Sequence, residues 1–114
     1  MIQPDNFDHY LYFIKQNGAT VLQSSIFDAP YAALADFLEY AKEHFKNQKF
    51  IRTNCLNGQV ILVNEDKYEI VDGKKLCNEI EVEFYQFQYK PMTCTHFADS
   101  VLAVNNRKLE EERK

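Results

Sequence analysis

A chain of 114 residues, 46% hydrophobic and carrying 7 Tyr and 9 Phe, holds enough apolar surface for one domain with one core, and too little length for two. That composition excludes a disordered chain, because such chains lack the burial that offsets ordering entropy. A net charge of −4 and a pI near 5.3 disfavour diffuse attraction to nucleic acid or anionic membrane.

The opening Met-Ile-Gln-Pro-Asp has neither the basic region nor the apolar core of a secretory signal, and no apolar run is long enough to span a bilayer. The expectation is a cytoplasmic protein with no membrane contact. Cys55, Cys77 and Cys94 are an odd number, widely spaced and without a Cys-x-x-Cys pair. No disulfide framework is expected. A zinc site gathering the three cysteines with His96 is disfavoured for the same reason, so neither metal nor cofactor is expected.

In chain order, residues 1–7 form a polar lead in which Pro4 discourages regular structure. From His9 to Phe27 two readings compete. Asn17-Gly18 suits a two-residue type I′ hairpin turn, pairing Ile14 with Val21 and Phe13 with Leu22. The rival is a helix capped at Asp5 and closed by Gly18. The hairpin is preferred, since Tyr10 to Ile14 is rich in aromatic residues that fit a pleated surface. In hairpin register Leu11, Phe13, Leu22 and Ile26 share the face that receives a helix. Tyr10 and Tyr12, with Ile14, Val21, Gln23 and Ser25, share the other and become candidate partner contacts.

Residues 29–46 read as the main amphipathic helix. Asp28 can cap it and Pro30 falls in its first turn, where a missing amide hydrogen costs nothing. Leu34, Phe37, Leu38, Ala41 and Phe45 lie on one stripe, with Asp36, Glu39, Glu43 and Lys46 mostly opposite. Burying the four largest of that stripe contributes roughly 6 to 12 kcal/mol before entropy is charged against it. Such a helix needs a sheet to cover.

The strand, Asn-Gly turn, strand and helix of residues 10–45 carry Lys15-x-Asn17-Gly18, Val21-Leu22-x-Ser24-Ser25, Phe27 and Ala32-Ala33. This stretch resembles the small YegP-like proteins. The resemblance implies a compact sheet-and-helix unit and brings no catalytic residues.

Phe50 to Asn64 repeats the hairpin pattern around Asn57-Gly58, and the apolar run Val60-Ile61-Leu62-Val63 reads as a strand at the centre of the sheet. A third hairpin turns at Asp72-Gly73 and leads into the long run Leu76 to Tyr89. There Ile80, Val82 and Phe84 alternate with Glu79, Glu81 and Glu83, giving one buried and one wet face. The aromatics Tyr85, Phe87 and Tyr89 then fall on the glutamate face, which predicts a bulge or a second packing layer near Phe84-Tyr85. Phe97 to Val104 reads as a short helix or a last strand, and 107–114 as a charged, frayed tail. The whole is an α+β domain over 1–106, with an antiparallel sheet of about five to six strands built from hairpins and one main helix on one face.

No phosphate loop, dinucleotide glycine pattern, nucleophile elbow or zinc-protease motif is present. The best local chemistry is Tyr40 one helical turn before His44, beside Asp36, a cluster that could move protons in a small enzyme. The stronger feature is the row Glu79, Glu81 and Glu83, with Lys67, Lys74 and Lys75 expected to answer it. Together with Tyr10, Tyr12, Tyr85 and Tyr89 this row points to a non-enzymatic protein-binding module. Its expected partner is a protein with a basic surface, and an inhibitor, antitoxin, immunity factor or phage-type antagonist would fit. The alternative is a single-stranded nucleic-acid binder stacking bases on those four tyrosines, against which the net charge argues. An open sheet edge also makes a homodimer an expectation.

Overall fold

A computed structural model describes residues 9–53, 58–87, 90–93 and 95–113. Strands β1 (Tyr10–Gln16) and β2 (Ala19–Gln23) precede helix α1 (Pro30–His44). Then come β3 (Phe50–Arg52), β4 (Ile61–Asn64), β5 (Tyr68–Val71), β6 (Lys74–Cys77), β7 (Ile80–Gln86), β8 (Lys90–Pro91) and helix α2 (Thr95–Arg113). The main sheet is antiparallel in the order β2-β1-β7-β4-β3, with β8 on the end of β7, and β5-β6 form a separate two-stranded sheet. The chain is therefore an α+β fold of hairpins with helices on one face, as its hydrophobic periodicities require.

Asn17-Gly18 and Asp72-Gly73 both take positive φ at both turn positions (52° and 88°, 53° and 78°), the geometry of a type I′ turn whose twist matches that of the strands. Residues 10–16 are strand, and the rival helix is absent. The register beyond the first turn differs from the expected one. Gln16 pairs with Ala19 and Lys15 with Thr20, but Ile14 then pairs with Leu22 and Phe13 with Gln23. Val21 is the extra residue of a bulge, left 54% exposed, while Leu22 is carried onto the core beside Ile14.

Helix α1 begins with Pro30 at its first position and buries Ala33, Leu34, Phe37, Leu38 and Ala41. Its N-cap is Ala29 in extended conformation with no side-chain hydrogen bond, so Asp28 stands one residue too early to cap and its carboxylate lies 3.7 Å from His9 Nδ1 instead. Phe45 is the C-cap, half-buried against the core. At the centre, the fully buried Phe37 ring meets Tyr12, Phe50 and Phe84 at centroid distances of 5.7, 5.0 and 6.4 Å.

Helix α2 lies beside α1 and β3 and adds Ala98 and Leu102 to the same core. Asn106 Nδ2 donates to the Phe50 carbonyl at 3.0 Å and Arg52 Nε to Asp99 Oδ1 at 2.9 Å. The segment from residue 107, expected as a tail, continues this helix through Arg113, and Glu110 pairs with Lys49 across it.

Strand β4 is interior, flanked by β3 and β7, although β7 and not β4 is the middle strand. The turn expected at Asn57 lies outside the described residues. The predicted bulge near Phe84-Tyr85 does not exist in the ladder with β1, which runs without a shift from Tyr10 opposite Gln86 to Gln16 opposite Ile80. The hydrophobic phase changes there because that end of β7 is apolar on both sides: Phe84 enters the core and Tyr85 covers Phe13 on the reverse face.

Candidate binding surface

The ladder sorts every sheet residue onto one of two faces. Tyr10, Tyr12 and Ile14 of β1, with Val82 and Phe84 of β7 and Leu62 of β4, face the helices and belong to one core cluster. This reverses the expected orientation of β1. Tyr10 and Tyr12 are 9% and 1% exposed, and so they are core residues that neither a partner protein nor a nucleic-acid base can reach. The inversion is a packing decision, since the alternative set Leu11 and Phe13 is equally apolar. Tyr12 resolves its polar end by donating its hydroxyl to Asp36 Oδ2 at 2.6 Å. Burial first, and then this hydrogen bond, raises the Tyr12 phenol well above the ordinary tyrosine range.

The reverse face collects the odd-numbered residues. One row sets Leu11 opposite Tyr85; the next sets Phe13, Glu83 and Ile61 side by side; the third runs Lys15, Glu81, Val63 and Ile51. Phe13 and Tyr85 rings meet edge to face at 5.5 Å, and the Tyr85 hydroxyl lies 3.3 Å from Glu83 Oε1. Leu11 and Val63 are buried, Phe13, Ile61 and Tyr85 are half-buried, and Ile51 is exposed. Both described helices pack on the opposite face, so among the described residues no helix covers this one.

Of the predicted acidic row, Glu81 and Glu83 lie on this face in β7, beside Tyr85, whereas Glu79 precedes the strand and is exposed. The lysine that answers the row is Lys15 from the neighbouring strand, with Nζ 3.1 Å from Glu83 Oε1, and not Lys67, Lys74 or Lys75. Its ammonium is held above the ordinary lysine range, first by the hydrogen bond to Glu83 and then by that carboxylate's charge. The expected trio belongs to the hairpin β5-β6 and its lead-in, where Lys75 Nζ sits 4.5 Å from the centre of the Tyr68 ring. Tyr89 lies outside the described residues.

Hairpin β5-β6 is an arm with all eight strand residues exposed, including Tyr68, Ile70, Val71 and Leu76. A two-stranded ribbon is marginal by itself, and two asparagines root this one. Fully buried Asn64 receives the Ile80 N–H at 3.0 Å and donates to the Asn78 and Asp66 carbonyls at 2.7 and 2.9 Å, holding both strands of the arm at their base. Asn17, in the first turn, receives the Glu79 N–H on Oδ1 at 2.8 Å and donates its Nδ2 to the Cys77 carbonyl at 3.3 Å. Sequence reading missed this clamp. Its one signal is the position of Asn64, on the core-facing parity of the run Val60, Leu62, Asn64.

Of the predicted proton-moving cluster, Tyr40 and His44 come together and Asp36 is turned to another partner. Asp36 is engaged by Tyr12, while Tyr40 and His44 stack with centroids 4.0 Å apart, and His44 Nδ1 lies 3.1 Å from the Tyr40 carbonyl. Exposed His44 borders an open cleft of about 470 Å³ shared with Gln16, Val21 and Glu69. Cys77 is exposed with its Sγ 3.4 Å from Asn17 Oδ1, while Cys55 and Cys94 lie outside the described residues. No helix among the described residues is long and apolar enough to cross a membrane. No protein-family profile, curated protein or solved structure matches the chain.

Proposed function

We propose that the protein is a non-enzymatic protein-binding module whose contact surface is the reverse face of its main sheet. The observation that carries this reading is a face with both sides of its chemistry in place and no described helix over it: Phe13, Ile51, Ile61 and Tyr85 supply apolar and aromatic area, and Glu81 and the Lys15–Glu83 pair supply charge. Interfaces of this make-up gain affinity from the aromatic and aliphatic centre and orientation from the charged groups. Because Lys15 neutralises Glu83, the face keeps the negative charge of Glu81, which favours a partner with basic residues around an apolar patch. The nucleic-acid reading loses Tyr10 and Tyr12, two of its four stacking platforms, to the core, and Tyr85 stands beside the Glu83 carboxylate, which repels phosphate.

Affinity capture with Ile51→Lys combined with Glu81→Lys, beside a control of Tyr31→Lys on exposed α1 surface, tests the proposal. A partner held by the wild type and the control but lost from the double variant supports it. A partner held equally by all three lies elsewhere on the molecule.

A further inference from the structure

Where the C-terminal end of α1, the 45–48 loop and α2 meet there is a cleft of about 260 Å³. Leu38, Ala41 and Phe45 give it an apolar wall, and Lys42, Lys46 and Lys108 stand around it without a single Asp or Glu in the lining. Among the described residues none of these three ammonium groups is in an ion pair, whereas Lys15 and Lys49 each have a carboxylate partner. Three unanswered positive charges around one apolar hollow are unexpected in a chain of net charge −4. Lys42, in the last turn of α1, also meets the partial negative charge of that helix end. Lys108 has no such role there, because it comes from α2, more than a turn before that helix stops. Lys42 on α1, Lys46 in the loop after its C-cap and Lys108 on α2 come from three separate segments, and an anion held among them would gain attraction from all three.

We propose that this cleft binds a small amphipathic carboxylate, with its hydrocarbon part against Leu38, Ala41 and Phe45 and its carboxylate received by Lys42, Lys46 and Lys108. At about 30 Å³ for each water-sized group the volume takes a ligand of roughly eight or nine heavy atoms, below the usual range for large cofactors. The site is separate from the sheet face and stands or falls independently of it.

The test is titration of the isotopically labelled full chain with hexanoate, 1-hexanol and hexylammonium, which share a tail and differ in head group, followed by NMR. Hexanoate is expected to shift amides of 41–48 and 105–109, to weaken as salt is raised, and to bind at least roughly tenfold more tightly than the other two. Combined Lys42→Gln, Lys46→Gln and Lys108→Gln substitution is expected to remove that preference, and Lys108→Glu alone to reduce it. All three positions are exposed, so melting curves should match the wild type. Equal binding of hexanol, shifts confined to the sheet face, an unaffected triple variant, or no binding of hexanoate would each overturn the proposal.

Discussion

Replacing Asn64 by leucine removes a fully buried amide and keeps the side-chain branching, so it tests the hydrogen bonds that root the β5-β6 arm, along with a longer one to Gln48 Oε1 at 3.4 Å. The Ile80 N–H, buried and 3.0 Å from Asn64 Oδ1, loses its acceptor and water cannot replace it, which costs about 1 to 3 kcal/mol. The Asn78 and Asp66 carbonyls lose donors at 2.7 and 2.9 Å, but Asp66 is exposed and Asn78 half-buried, so partial rehydration limits that loss to about 1 kcal/mol. Leucine recovers part of this by apolar burial, leaving a net loss of about 1 to 3 kcal/mol. Urea denaturation at neutral pH measures it, and hydrogen exchange should show the amides of residues 68–77 opening before the main sheet. Asn64→Asp keeps an acceptor for Ile80 and presents a buried carboxylate to two carbonyls. Burial raises that carboxyl's folded pKa above its unfolded value near 4, so the deficit relative to wild type grows as pH rises through the folded value and shrinks at acid pH. A loss under about 0.5 kcal/mol for Asn64→Leu, with arm exchange unchanged, would refute the idea that this amide anchors the arm.

Phe37→Ala should cost about 3 to 5 kcal/mol in thermal or chemical unfolding, since the ring is fully buried among Tyr12, Phe50 and Phe84. Tyr12→Phe removes the hydroxyl bonded to Asp36 at 2.6 Å, and because exposed Asp36 rehydrates the loss should be about 1 kcal/mol near neutral pH. The folded Tyr12 phenol is raised above its unfolded value, so its stabilisation is complete below about pH 10 and falls as alkali ionises the unfolded chain first. Wild type should accordingly lose stability more steeply than Tyr12→Phe above that pH. A double-mutant cycle of Lys15→Met with Glu83→Gln should give a coupling of about 1 kcal/mol or less, diminished by salt, because the two side chains are 33% and 16% exposed.

Much of this architecture is local and therefore legible in the chain. The stripe Leu34, Phe37, Leu38 and Ala41 has helical spacing and is buried as that spacing requires. Asn17-Gly18 and Asp72-Gly73 specify their turns because Gly tolerates positive φ and Asn or Asp pays little for it. Ile80, Val82 and Phe84 alternate with glutamates, so β7 had one possible inward face. Strand β1 has no such contrast, since Tyr10, Tyr12 and Ile14 on one side and Leu11 and Phe13 on the other are both apolar. Its orientation follows from Asp36 offering an acceptor to Tyr12 and from the Phe37 ring that Tyr12 meets edge to face, neither of which is in place before α1 is docked.

The binding surface divides in the same way. Glutamates 81 and 83 declared themselves polar by alternation, but the placement of β7 between β1 and β4, which brings Lys15 and Phe13 to one side and Ile61 and Val63 to the other, is a non-local pairing with no trace in adjacent residues. The clamp of Asn17 and Asn64 and the meeting of Lys42, Lys46 and Lys108 likewise join residues far apart in the chain. Short-range sterics and periodicity select the helices, turns and strands in this sequence. Which apolar face goes inward, and which charges meet, is decided when the layers pack, because only there do burial and hydrogen-bond satisfaction distinguish otherwise equivalent faces.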